Sequence, residues 1–569
     1  MTEASAGTVP AAAGRRGNLA LLAAQFRYAT RSFWRTPVAA FFTVVFPLLL
    51  LLLLSALVGN ETVDSRQGIR LAQFLTPAMA VFGAVTASFT SLAISLSLAR
   101  EQGILKRLRG TPLPPWVFMT AQIASRVWIG LLSVLLMVAV GVLLYDVRIV
   151  GRTLPAVLVT LAVGIGCFAA LGLALVSLVR SAQAVQGLAS TVIVLLGFVS
   201  DLFITGRELP RWLEVTGWVF PLKHFANAMG DAFNPYHTGS GFAPGHLAVM
   251  AAWGLAGVLV ALRRFSWDPY GPRAGRGAAA PAGAGGGAAE AAAEAWLDAR
   301  PAGPARRPPA WRLLRGQVRY ANRVIARDRA SVFFSVLLPA LLAVLFPLVF
   351  GQHELVPGRD VELPQFLAPV LAVYGLAVAA YVNLPEGVAR ARDLGILKRL
   401  RGTPLPAWSY LAGRIGSALW VGLLAVVLTV GVSVLLYDVQ VPGRTLPAVL
   451  VTLVVGTVCF AAVGLAVAAL VPDAQTFAVV ALATLLSLSF ISDIFLVGAQ
   501  MPRWVEVLGW LFPLKHLANA MADAFDPGVG GSGFAWGHLA VVAAWGVAGM
   551  LVAAARLRLD PRGERQAPG

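Results

Sequence analysis

Long unbroken apolar stretches, not alternation, dominate this chain. Val38–Leu57 is nearly free of polar residues, and Leu48–Leu54 is a run of seven leucines. About 20 consecutive apolar residues cross the hydrocarbon core of a bilayer as a helix. Backbone groups in lipid must satisfy one another, which helices do internally. The two-residue alternation of an outer-membrane barrel is absent. The pattern predicts six spans in the first part of the chain, over Val38–Leu57, Phe74–Leu98, Trp116–Leu144, Leu154–Leu178, Val185–Ile204 and His246–Leu262.

The same pattern returns 292 residues later without a gap. Gly103–Pro114 reads GILKRLRGTPLP, and Gly395–Pro406 reads the same letters. GRTLPAVLVTL at Gly151–Leu161 recurs at Gly443–Leu453, FPLKH at Phe220–His224 recurs at Phe512–His516, and GHLAV at Gly245–Val249 recurs at Gly537–Val541. The expected fold class is therefore all-α and polytopic: about 12 transmembrane helices as two parallel six-helix repeats, with interfacial and re-entrant helices. The units fall at residues 1–37 (N-terminus and interfacial helix), 38–267 (first six-helix unit), 310–559 (second interfacial helix and unit) and 560–569 (tail). Residues 268–309, rich in Ala, Gly, Pro and Arg, have linker composition.

Composition agrees. Hydrophobic residues make up 58% of the 569 positions and charged ones 13%, against about 25% in an average soluble protein. The formal charge of +18 is not read as a nucleic-acid footprint, because the cations sit between apolar spans as topology signals. One set of flanks carries Arg27, Arg31, Arg35, Arg100, Lys106, Arg107, Arg109, Arg180, Arg263 and Arg264, opposed only by Glu101. On the other set Arg66, Arg70, Arg148, Arg152, Arg207, Arg211 and Lys223 are balanced by acidic residues. The positive-inside rule makes the first set cytoplasmic. The expectation is a multi-pass protein of a bacterial plasma membrane with both termini and the linker inside. Met1–Gly17 is polar and small, so the first span reads as an anchor and not as a secretory leader. Cys167 and Cys459 lie inside apolar stretches and read as small buried residues.

Three segments stand out. Before the first span, Leu19, Leu22, Phe26 and Phe33 share one helical face, while Arg27, Arg31 and Arg35 recur on another. Arg315, Arg319, Arg323 and Arg327 repeat this in the second unit. Such a helix lies along a bilayer surface with its cations toward anionic lipid. Between spans two and three, Ile104–Arg109 has the length of about two helical turns, and Gly110, Pro112 and Pro114 end it. A topology signal needs only charge; a docking surface needs shape as well. The segment thus reads as a docking element for a partner protein. Between spans five and six, Trp212 and Trp218 suit an interface and the prolines break the chain into short re-entrant or interfacial helices. His224 and His516 each read as a lone histidine beside a lysine, with no metal site.

LKRLRGTPLP, followed by LP-R-W and FPLKH, twice and in order, resembles the ABC transporter type 2 permease family, including drug-resistance-type exporters. The resemblance covers each unit and leaves out the linker. It implies six membrane helices per unit, an N-terminal interfacial helix and a coupling helix between spans two and three. It also implies two units paired around a path lined mainly by spans two and five. P-loop ATPase subunits, two per chain here, would dock on the coupling helices. Their candidate residues are Gly103, Ile104, Leu105, Lys106, Arg107, Leu108 and Arg109, and Gly395, Ile396, Leu397, Lys398, Arg399, Leu400 and Arg401. The chain departs from the usual single unit because both halves are fused.

A P-loop needs G-x-x-x-x-G-K-[ST]. The four lysines, Lys106, Lys223, Lys398 and Lys515, all stand in other contexts. The expected chain thus binds no cofactor itself and uses ATP through partner subunits. Paired catalytic acids, HExxH and nucleophile–base patterns are absent, so no enzyme is expected. An ion-coupled secondary transporter is the alternative, but such carriers place charges inside spans. Here the spans are nearly free of them: Asp201 and Asp493 sit at the outer end of span five, and Glu386, near the inner end of span two where the first unit has Ile94, reads as a solvated carboxylate near the interface. The path candidates on spans two and five are Phe82, Thr86, Phe89, Thr191, Phe198, Tyr374, Tyr381, Asn383, Thr484 and Ser487. Aromatic and hydroxyl groups with few charges suit a small amphiphilic or hydrophobic cargo.

Overall fold

The computed structural model describes residues 15–57, 62–64, 69–111, 113–200, 202, 210–236, 238–265, 309–403, 405–497 and 501–556. The linker at 268–308, the tail from 557 and the first 14 residues lie outside them.

Twelve helices are long and apolar enough to span a membrane. In the first half they are Pro37–Ala56, Leu71–Glu101, Trp116–Tyr145, Gly151–Leu178, Ala182–Val199 and Pro244–Arg264. In the second they are Arg329–Phe350, Leu363–Asp393, Trp408–Tyr437, Gly443–Leu470, Ala474–Ile491 and Trp536–Arg556. Many outward leucines are bare, among them Leu143 at 79% and Leu435 at 84% exposure, as a lipid-facing surface requires. The chain is a multi-pass membrane protein in two repeats.

Boundaries depart most from the sequence reading in spans two and five. Span two extends beyond Phe74–Leu98 at both ends. Span five starts at Ala182, not Val185, because Ser181 caps it by accepting from Ala184 N at 3.1 Å. It ends at Val199; Ile204 lies outside the described residues. Asp473 caps the equivalent helix of the second half.

Span two is the hub of each half and the most enclosed of the twelve. It carries a π-helical segment in each half, at Thr86–Ser91 and Val378–Asn383. Such wide turns occur frequently at functional sites, and hydropathy does not reveal them. Span four packs against this turn through a glycine: a Cβ on Gly464 would stand 2.6 Å from the Tyr381 carbonyl oxygen, and one on Gly172 would stand 3.0 Å from that of Phe89. Spans four and six approach the same way, Gly254 against Cys167 and Gly546 against Cys459. Both cysteines are buried and unbridged, filling the small-residue seam that membrane helices use for close contact.

Polar ties repeat at the 292-residue offset. Gln73 donates to the carbonyls of Arg148 and Phe233 and accepts from Arg148 N, locking the start of span two to the loop after span three and to the short helix Pro221–Phe233. Gln365 makes the same bonds to Gln440 and Phe525. Tyr145 and Tyr437 bond to the carbonyls of Leu52 and Val344 in span one.

The halves meet through span five of one and span one of the other. Gly187 lies against Ala330, the Phe198 and Phe346 ring centres are 6.0 Å apart, and Leu213 clusters with Leu345 and Val349. Reciprocally, Ala474–Ile491 contacts Pro37–Ala40. Starts meet starts and ends meet ends, so the halves share one orientation.

The segments before the spans are helices, Arg15–Trp34 and Ala310–Arg327, packed on span three. Arg27, Arg31 and Arg35 are exposed, as are Arg315, Arg319, Arg323 and Arg327. The packed face turns from Leu22 and Phe26 to the buried Ala29 and Phe33, whereas Leu19 is 65% exposed. The breaks between spans five and six also fold into short helices, Arg211–Val219 and Pro221–Phe233 and their counterparts Arg503–Leu511 and Pro513–Phe525.

Candidate coupling site

Span two ends at Glu101, and the chain turns sharply at Gly103, whose φ of +69° suits glycine. Ile104–Arg109 then forms a helix that stops at Gly110. The second half repeats this with Gly395 at φ +67° and Ile396–Arg401. Each short helix has two faces. Leu105 and Leu397 are buried and Leu108 and Leu400 half-buried, anchoring the helix to the bundle. Lys106, Arg107, Lys398 and Arg399 project outward, beside Ile104 at 38% and Ile396 at 42% exposure. Arg109 and Arg401 are the last helical residues. Each helix is thus anchored by one face and presents a basic and apolar ridge on the other.

The residues just before it are unexpected. Arg100, read as one of the inside-flank cations, is fully buried. Its guanidinium donates to the carbonyls of Val176, Val179 and Arg180, at 2.6, 2.7 and 3.0 Å. These are orphan acceptors at the end of span four, where the helix dipole favours a cation. Next to it Glu101 accepts from the backbone N–H of Ala182 at 2.6 Å, at the first turn of span five, where the dipole favours an anion. In the second half Arg392 donates to the carbonyls of Ala468 and Pro472, and Asp393 accepts from Ala474 N at 2.7 Å. An Arg-carboxylate dipeptide thus clips the foot of span two to the joint between spans four and five. Sequence reasoning missed it because the partners lie 76 to 81 residues away; the only local signal is a basic–acidic pair at the same place in both repeats.

The path candidates divide. Phe82 and Phe89 are buried within the first half, against Phe46 and Phe168. Thr86 is buried and bonds to the Phe82 carbonyl. Tyr374 packs on Phe495 at 5.1 Å, and Tyr381 Oη lies 2.8 Å from Thr484 Oγ1, joining spans two and five of the second half. Asn383 is half-buried in the π-helical segment with its Nδ2 unbonded. Ser487 bonds back to Ala483, Thr191 is half-buried, and Phe198 reaches across to Phe346. Glu386 forms an ion pair with Arg390, one helical turn on.

The histidines need correction. His224 is not alone: its Nδ1 lies 2.9 Å from His246 Nδ1, and its Nε2 is 2.8 Å from the Trp218 carbonyl oxygen. His516 and His538 repeat this with Trp510. A carbonyl only accepts, so His224 Nε2 carries the proton and its Nδ1 accepts from His246. Nearby, Lys515 pairs with Asp493 at 3.1 Å and lies over the Trp510 ring; Asp201, the equivalent of Asp493, falls outside the described residues. The signal was in the repeated GHLAV, whose histidine stands 22 positions after that of FPLKH.

Comparison with known proteins agrees with this double architecture. The chain is similar over 149 residues, at 25% identity, to "Putative transport permease YvfS" of Bacillus subtilis (strain 168). That match covers 26% of this chain and 60% of the relative. The model of the ABC-2 type transporter family matches twice, at residues 20–233 and 314–525, once in each six-helix unit. The chain belongs to the ABC-2 type transporter family, as two family units in tandem.

Proposed function

We propose that this chain is the membrane-spanning permease of an ATP-driven exporter, with both halves of the transmembrane dimer fused. P-loop ATPase subunits, one for each coupling helix, dock on Ile104–Arg109 and Ile396–Arg401. The chain holds no nucleotide itself. The observation that supports this reading best is the clip. Each outward basic ridge continues directly into a dipeptide bonded to both ends of the joint between spans four and five. A push on the coupling helix therefore reaches span five, which forms the contact between halves. Closure of two ATPases would move both joints together and alternate the access of a path between spans two and five. Its aromatic and hydroxyl lining suits a small amphiphilic or hydrophobic cargo. The basic ridges and arginine-rich interfacial helices face the cytoplasm on the positive-inside rule, which places both termini there. The Glu386–Arg390 ion pair gives no support to a proton-carrying carboxylate.

The test is affinity purification of the tagged chain from its native membrane, followed by transport into inverted vesicles. Expected are a P-loop ATPase at two copies per chain and uptake that needs ATP and survives a protonophore. Transport that persists without any ATPase and collapses with the proton gradient would overturn the proposal.

A further inference from the structure

The two halves depart from each other at the end of the bundle opposite the coupling helices, roughly 45 Å away along the 31-residue span two. In the second half Arg359 occupies a built cation site there. Its Nη1 is 2.8 Å from Asp523 Oδ1, its Nη2 donates to Asn519 Oδ1 at 2.7 Å, and its Cζ lies 5.3 Å from the centre of the Phe366 ring. Carboxylate, amide oxygen and aromatic face are the three partners a guanidinium takes.

The first half has the same three groups, 292 residues earlier: Asp231, Asn227 and Phe74. There they line, with Ile69 and Pro77, a cavity of about 170 Å³. Asn227 is oriented like its counterpart, because Nδ2 of each asparagine donates to the lysine carbonyl one turn before, both at 2.8 Å. That leaves Oδ1 as the acceptor in both. Among the described residues the Asp231 carboxylate has no ion-pair or hydrogen-bond partner. The sequence position matching Arg359 is Gln67, a neutral residue outside the described set.

We propose that the first half binds an organic cation, a guanidinium or primary ammonium, between Asp231, Asn227 and the Phe74 ring, and that Arg359 is the built-in occupant of the equivalent site in the second half. The site is built from the start of span two and the short helix Pro221–Phe233, and it does not depend on the transport reading. The cation comes from a soluble molecule or from a lipid headgroup such as ethanolamine.

Butylguanidinium titrated into the full chain in phosphatidylglycerol nanodiscs, followed calorimetrically, tests this. One equivalent is expected, weakened at least about tenfold by Asp231→Asn. Arg359→Ala should raise the stoichiometry to two, and adding Asp523→Asn should return it to one. Because Asp231 is exposed, its variant keeps the fold, and the gain in Arg359→Ala cannot arise from misfolding. Repeating the titration in phosphatidylethanolamine nanodiscs separates the sources: competition assigns the site to the headgroup ammonium, and unchanged binding assigns it to a soluble cation. No saturable binding to the wild type, equal binding to Asp231→Asn, or binding that appears only after Arg66→Ala overturns the proposal; the last would mean that the chain fills this site itself.

Discussion

Arg100 donates from Nη1 to the carbonyl oxygen of Val176 across 2.6 Å, joining the foot of span two to the end of span four. Arg392 reaches Ala468 in the same way in the other half. Arg100→Met should leave three carbonyls without their donor. The expected cost is about 1–3 kcal/mol in stability, read as earlier loss of monodispersity on heating, together with loss of cargo-stimulated ATP hydrolysis in the assembled complex. Arg100→Lys should recover part of the stability, since an ammonium cannot match the planar fork. Full coupling in Arg100→Met would show that the clip only holds the fold.

On the proposed reading, docking and folding fall on opposite faces of Ile104–Arg109 and Ile396–Arg401. Lys106→Glu with Arg107→Glu alters exposed side chains and should leave thermal stability within roughly 0.5 kcal/mol while reducing co-purification of an ATPase. Leu105→Ala empties a fully buried position and should cost about 2–5 kcal/mol. Making each charge reversal in one half at a time measures whether the two sites are equivalent. Unchanged association after reversal in both halves would remove these helices from the docking surface.

How much of this was legible beforehand follows from the range over which each feature is set. The spans, the repeat and Ile104–Arg109 depend on neighbours: apolar length, or Gly103 and Gly110 bracketing two turns. Those were readable. The Arg100 clip and the His224–His246 pair depend on residues brought together by helix packing, and only their recurrence in both units hinted at them. The sign of a cation's role was likewise hidden. Arg100 and Lys106 are equal as topology signals, yet one is buried and the other exposed. The π-helical segment at Thr86–Ser91 has no hydropathy signature. The contrast between Arg359 and Gln67 lay in plain view, but only the fold puts Asp231 and Phe74 around one cavity.

Span four's glycines offer an internal control. A Cβ on Gly464 would meet the Tyr381 carbonyl oxygen and Pro385 Cγ, both at 2.6 Å, whereas one on Gly166 meets nothing within 4 Å. Gly464→Ala should therefore cost about 1–3 kcal/mol through overpacking and shift the π-helical segment. Gly166→Ala should be neutral or slightly stabilising through helix propensity, by at most about 1 kcal/mol. Thermal denaturation of both purified variants checks the difference, and equal effects would mean that span four does not brace that segment.

Tyr381 and Thr484 carry hydroxyls at two positions where the first half has Phe89 and Val192. The hydroxyl pair spans 2.8 Å between spans two and five, and Thr484 also bonds to its own helix at Val480. Tyr381→Phe removes the bridge and leaves Thr484 satisfied, so its stability cost should be small, on the order of 0.6 kcal/mol as for other hydrogen bonds between membrane helices. The effect on transport should be larger if spans two and five form the path. The variant makes this wall match the first half, and cargo preference should move toward more apolar compounds. Competition between a hydroxylated cargo and its deoxy analogue measures that preference directly. An unchanged ratio would place Tyr381 outside the path and leave it as packing against Phe460, its neighbour at 6.2 Å.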